Sequence, residues 1–199
     1  MTPLVPAFRE RFPRATLSVV QGLSSHLLEW LALGQVDCPV VYNNTTTPAI
    51  CLVPVHDEPL HLVGPRKTAK AGKPHRLIGP RITLAAATGQ PLVIASRRHS
   101  VRMLLEAALA KEGLRARVTL EIESVPAMLD LLRSSGLCAA LALNAVRSCG
   151  KETLSEARAI VDPRLATTLW IANSAQRPRE SPINQPATLL KELVLRERD

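Results

Sequence analysis

Aromatic side chains are scarce in this sequence: two Trp, one Tyr and two Phe among 199 residues. A platform for single-stranded nucleic acid stacks bases on several aromatics, and this chain has too few to build one. Cysteine is thin as well. Cys38, Cys51, Cys138 and Cys149 form no CxxC pair, and three of them lie in or beside apolar runs. Buried, reduced thiols are therefore expected rather than disulfides or a metal site. No apolar run approaches the ~18 residues of a membrane helix. Arg9 and Arg11 interrupt the N-terminus before any signal-like stretch. The expectation is a cytoplasmic globular protein with no membrane contact.

Enzyme motifs are missing too. The sequence holds no GxGxxG, no Walker A lysine loop, no HExxH and no GxSxG elbow. Its five histidines, His26, His56, His61, His75 and His99, show no metal-ligand spacing. Glu121 and Glu123 share one strand face and read as exposed charges rather than an acid–base pair. No catalytic residue, metal or cofactor is assigned, and the chain is not expected to be an enzyme.

What is present is an ordinary globular mixture, 46% apolar and 21% charged. The length suits one domain or two small lobes. Against 17 Asp+Glu stand 25 Lys+Arg, a net charge of +8. That excess alone gives at most salt-sensitive, non-specific contact with nucleic acid, and no segment reads as a helix-turn-helix.

Along the chain, a short helix carrying Leu4, Val5 and Phe8 is stopped by Phe12-Pro13. Residues 16–20 read as a strand. A helix from Ser24 presents Leu27, Leu28 and Leu31 on one face and stops at Gly34. Residues 36–42 form the next strand. The apolar runs 50–53 and 60–63 read as a strand pair split by a polar turn at His56-Asp57-Glu58. Residues 64–81 interleave Gly and Pro with Arg66, Lys67, Lys70, Lys73, Arg76 and Arg81, a basic loop and the best internal boundary. Beyond it come strand 91–95, helix 100–112, strand 117–122, helix 124–135 ending at Gly136, and strand 137–143. Asp162-Pro163 is a turn. A strand at 169–172 and a helix at 187–196 close the chain.

The order strand, turn, helix, Gly, strand occurs at 16–42 and again at 117–143, with Gly34 and Gly136 standing 102 residues apart. Two such units around a basic linker predict an α/β fold of two lobes with a cleft between them. Each lobe would be a small, mostly parallel sheet flanked by helices. Residues 1–70 and 166–199 would form lobe I, and 71–165 lobe II. In the second half a strand precedes helix 100–112, whereas the matching first helix starts near Met1; an N-terminal truncation is expected, with reduced stability from an exposed sheet edge.

Binding is the better-supported chemistry. Ser96-Arg97-Arg98-His99-Ser100 follows an apolar strand and opens a helix, where N–H groups and the helix dipole favour an anion. Gly22-Leu23-Ser24-Ser25 is the corresponding turn of the first lobe, with Ser24 expected as the helix N-cap.

Several stretches resemble the effector-binding domain of LysR-type transcriptional regulators. They include Phe12-Pro13-x-Ala15-Thr16-Leu17, Gly22-x-Ser24, Leu31-x-x-Gly34-x-Val36-Asp37 and Leu60-His61-Leu62-Val63-Gly64-Pro65. Pro91-Leu92-Val93-Ile94, Arg102 with Gly113, Glu121 and Ser124, Gly136-Leu137, and Asp162-Pro163-x-Leu165-x-x-x-Leu169 continue the likeness over nearly the whole chain. The resemblance implies a fold like type II periplasmic binding proteins, with a small-molecule effector, anionic by the turn chemistry above, in the cleft. It implies a ligand set of Thr2, Ser24, Ser25, Ser96, Arg97, His99 and Asn144. It also implies a homodimer or higher oligomer whose partner faces are the helix at 100–112 and the first helix. DNA would be bound only through a helix-turn-helix that these residues lack. The sequence departs from the family at Gly136-Leu137-Cys138 and Leu143, where Gly-x-Gly and then Pro are usual. A stand-alone paralogue acting through mixed dimers, or an enzyme on the same scaffold, are the alternatives.

Overall fold

A computed structural model describes residues 4–42, 47–65, 77–150, 155–176 and 184–196. The elements, in chain order, are α1 (Leu4–Arg11), α2 (Ser24–Ala32), β1 (Val40–Val41), β2 (Ile50–Pro65), β3 (Ile82–Thr83), α3 (Leu84–Thr88), β4 (Leu92–Ile94) and α4 (Ser100–Lys111). They continue with β5 (Val118–Glu121), α5 (Val125–Ser135), β6 (Ala139–Ala142), α6 (Leu143–Ser148), β7 (Ser155–Val161), β8 (Ala166–Ser174) and α7 (Asn184–Arg196). The chain divides into two compact units, one of Met1–Asp57 with Thr168–Asp199 and one of Glu58–Thr167. It passes from one to the other inside strands, once along β2 and once along β8.

In the first unit, α2 buries Leu28 and Leu31 against Val41, Ile50 and Ala172. Gly34 ends the helix in the left-handed region, at φ +71°, a conformation that glycine adopts without steric cost. β1 pairs antiparallel with β8, Val40 opposite Ile171. α1 buries Phe8, whose ring lies 5.0 Å from that of Phe12.

The second unit has a sheet with helices on both faces, and strand alternation decides which residue goes where. Leu60, Leu62, Leu92, Ile94, Ala140 and Ala142 face one way, onto Leu105 and Leu109 of α4. Their neighbours Val63, Val93, Ala139 and Leu141 face the other way, onto Met128, Leu129 and Leu132 of α5. α5 is bounded as its sequence predicts: the Ser124 hydroxyl accepts from the Ala127 N–H, Pro126 sits in the first turn, and Gly136 closes it at φ +68°. The expected parallel pairing is found for β4 with β5 and β3 with β7, and β4 is bridged in parallel to β6 at Leu92 and Cys138. β2 runs against it, antiparallel to both β6 and β7.

Several expectations change. Residues 16–20 form no strand, and Val19 and Val20 stand 47% and 52% exposed. β-propensity makes a strand only where a neighbour takes up the backbone groups, and no ladder reaches this segment among the described residues. The expected strand at 36–42 shortens to β1. His56-Asp57-Glu58 is no turn; it lies inside β2, a single strand of 16 residues. Asp57 is met sideways, the Thr168 hydroxyl donating to its carboxylate at 2.6 Å. Strand β7 and helices α3 and α6 went unread. Residues 66–76 of the basic stretch, and with them the 70/71 boundary, lie outside the described residues.

None of the four cysteines is in a disulfide, and Cys138 is buried, but Cys51 is exposed because it alternates with the buried Ile50 along β2. Burial raises the Cys138 thiol pKa above its ordinary 9.0. A Cβ added to Gly64 would lie 2.9 Å from the Cys138 sulfur, so the two strands meet here because one residue has no side chain. Gly64→Ala should cost about 1–3 kcal/mol by overpacking. Adding Cys138→Ala should recover part of that loss in a urea-denaturation double-mutant cycle; strictly additive costs would contradict the close approach.

Candidate functional site

Because β4 and β6 are bridged in parallel, their C-terminal ends leave from the same edge of the second unit. The Ser96–His99 turn follows β4, and Asn144 opens α6 just after β6. One peptide bond organises this edge. The Ala95 carbonyl accepts from Arg102 Nη1 at 2.8 Å, and the N–H of the same peptide, on Ser96, donates to Glu123 Oε1 at 3.0 Å. Arg102 comes from the first turn of α4 and is almost wholly buried. Its Nη1 also meets Glu121 at 2.7 Å, and its Nε meets Glu106, one turn along α4, at 2.8 Å. Glu121 and Glu123, expected as idle strand charges, both hold the turn: Glu123 directly and Glu121 through Arg102.

Hydrogen bonds from the Ser96 hydroxyl and N–H keep the Glu123 carboxyl below its ordinary 4.5, against the opposing effect of burial. His99 is the N-cap of α4, its Nδ1 accepting from the Val101 N–H at 3.3 Å. With Nδ1 as acceptor, the ring's proton sits on Nε2. Burial lowers the His99 pKa from 6.5, outweighing the attraction of Glu123. At neutral pH the residue is thus a neutral donor, not the cation that an anion partner would need. Arg97 is exposed. Asn144 is exposed too, and its backbone carbonyl accepts from the Ser148 hydroxyl.

In the first unit, Leu23 rather than Ser24 is the N-cap of α2, with no side-chain cap bond. The Ser24 oxygen accepts instead from the Tyr42 N–H at 3.1 Å, which ties the helix start to the end of β1. The Ser25 hydroxyl is shielded from solvent and has no hydrogen-bond partner among the described residues. Ahead of both, Gly22 lies under the Trp30 ring, where a Cβ would approach to 3.3 Å. Thr2 lies outside the described residues.

Ser96, Arg97, His99 and Asn144 are thus gathered at one edge of the second unit, whereas Ser24 and Ser25 belong to the first. A cavity of about 20 Å³ behind the turn is lined by Ile94, Ala95, His99, Arg102, Met128 and Leu141. It has room for one water and not for a metabolite. Among the described residues, no group of three His, Cys, Asp or Glu side chains is set to hold a metal ion, and no helix is long and apolar enough to cross a membrane.

Removing the guanidinium and removing its counter-charges should differ. The side chains of Glu106 and Glu121 are 44% and 55% exposed, so Arg102→Met returns them to water and orphans only the Ala95 carbonyl, at about 1–3 kcal/mol. The double variant Glu106→Gln/Glu121→Gln strands a buried cation and should cost more, about 3–5 kcal/mol; the reverse ranking in urea denaturation would refute this balance. A second expectation concerns pH. Burial is the main cause lowering both His61 and His99 from 6.5, so the unfolded chain takes up protons that the folded chain refuses. Stability should be complete above pH 6.5 and fall as pH drops below it. His99→Ser, which keeps a capping oxygen, should flatten that slope below pH 6.5; an unchanged slope would rule His99 out as a contributor.

The LysR substrate binding domain family matches residues 1–194. Among curated relatives, the nitrogen assimilation regulatory protein nac of Klebsiella aerogenes is 26% identical over 194 residues, covering 97% of this chain, and that of Escherichia coli (strain K12) is 25% identical. The chain spans 59% of the length of these relatives. The fold matches the regulatory domain of CcmR from Synechocystis PCC6803 in complex with 2-PG, with a TM-score of 0.79 at 18% identity, covering 97% of this chain and 89% of that one. It also matches the effector binding domain of QuiR in complex with shikimate, with a TM-score of 0.76 at 16% identity, covering 96% and 87%. The architecture is thus the α/β, type II periplasmic-binding-protein-like fold of LysR effector-binding domains, and the chain belongs to the LysR substrate-binding domain family.

Proposed function

We propose that this chain is the effector-sensing domain of a LysR-type transcription regulator. A small anionic effector is taken up in the cleft that the sequence leads one to expect, and its binding is read out through a homodimer or higher oligomer. Operator DNA is left to a helix-turn-helix outside these residues. The ligand acts by favouring one of two arrangements of the domain.

The observation that carries the reading is the Ser25 hydroxyl: shielded, without a hydrogen-bond partner among the described residues, and in the first turn of α2. A buried donor is normally paired, and an acceptor on an effector would pair this one. Ser24 still has its O–H to give, since among the described residues its oxygen serves as an acceptor from Tyr42. In the second unit the proposed roles are Arg97 as the anion partner, His99 as a neutral Nε2–H donor, and Ser96 and Asn144 as hydrogen-bonding groups on the same edge. Thr2 completes the set as the sequence suggests. The CcmR and QuiR domains, each complexed with a small molecule, support the same use of this fold.

A thermal-shift screen against small anionic metabolites, at fixed protein concentration, tests the proposal. A ligand at 100 times its dissociation constant should add about 2.7 kcal/mol to the folded state. Ser25→Ala should then weaken that ligand about tenfold and Arg97→Ala at least as much. If both variants bind as tightly as the parent chain, these roles are wrong.

A further inference from the structure

The N–H that opens the Ser96 turn already has an anion on it. Glu123 supplies the acceptor at 3.0 Å, and the other end of the same peptide is gripped by Arg102 at 2.8 Å. In a trans peptide the carbonyl and the N–H point in opposite directions. The N–H therefore cannot turn away from Glu123 unless the buried guanidinium releases the Ala95 carbonyl. Arg102 is itself fixed by Glu121 and Glu106. The donor is rigidly aimed, and the carboxylate it meets belongs to the protein.

We propose that Glu123 is an intramolecular competitor for anions at the Ser96 turn and thereby sets which ligand charge the turn accepts. This rests on the reading of that turn as part of the effector site. A carboxylate, sulfate or phosphate group arriving at Ser96 needs the same N–H and meets a like charge within hydrogen-bonding distance. A hydroxyl or ammonium group meets an acceptor instead, because a carboxylate has lone pairs beyond the two that the Ser96 N–H and hydroxyl use. The part of the effector that docks here is accordingly a hydrogen-bond donor, and its anionic group is left to Arg97. Glu123 is exposed, beyond the end of β5 and just before the Ser124 cap. It can swing into water, so an anion at sufficient concentration displaces it.

The test uses sulfate, whose charge is constant around neutral pH, titrated at fixed ionic strength while the Ser96 backbone amide is followed by NMR. Three versions of the full chain are compared: the parent, Glu123→Gln, and Glu112→Gln. The last removes an exposed charge at the far end of α4. Glu123→Gln should bind sulfate at Ser96 at least tenfold more tightly than the parent, with Glu112→Gln unchanged. Equal affinities for the parent and Glu123→Gln would overturn the competitor role while leaving the turn an anion site. An equal gain in Glu112→Gln would overturn it as well, reducing the effect to net charge. If Ser96 responds in none of the three, this inference and the anion-binding reading of the turn fail together.

Discussion

A guanidinium inside an apolar core must be answered on every side that carries a donor, and the way Arg102 is answered organises the second unit. Its three partners come from three places: the end of β4, its own helix and strand β5. Each bond fixes the position of a different element, so α4, β4 and β5 are registered to one another by a single side chain. The two apolar faces of the sheet supply the stability of this unit, but apolar contacts tolerate sliding and charged hydrogen bonds do not. The carboxylates stay in water while the cation is buried. This arrangement avoids the full desolvation of an ion pair and still leaves the cation with no option but its partners.

The chemistry of the edge follows from that registration. With the Ala95–Ser96 peptide held, the turn presents a directed donor, a neutral His99 and a carboxylate beside the exposed cations Arg97 and Arg98. A protein with a net charge of +8 thus presents, at this turn, a surface that is electrically mixed. Bulk charge and local charge are separate quantities, and the second governs what a ligand meets within a few ångströms.

Much of the second unit was legible in the sequence. α4, β5, α5 and β6 have clear periods, and the Ser124 cap, Pro126 and Gly136 mark α5 at both ends. The failures share a cause. His56-Asp57-Glu58 looks like a turn because three polar residues interrupt an apolar run, and the partner of Asp57 lies 111 residues away at Thr168. β7 has mostly small or charged residues and is a strand because β2 and β3 flank it. At residues 16–20 the reverse holds: the local preference is present, and no neighbouring strand pairs with it among the described residues. The site divides in the same way. The Ser96–His99 turn could be read from a strand running into a helix, whereas the contact that occupies it reaches across 27 residues to Glu123. The pattern of residues announces where a turn stands, and only the fold decides what it already holds.

The two crossings along β2 and β8 also set an order in time. A ribosome delivers Met1–Asp57, then the whole of Glu58–Thr167, and only then the residues that complete the first unit. At about 5–20 residues per second, α2 and β1 wait on the order of ten seconds for β8 to emerge. During that interval Leu28, Leu31, Val41 and Ile50 lack Ala172, the residue that closes their core. The second unit can mature as soon as its own stretch has left the tunnel, so of these two units the one begun first is the one completed last.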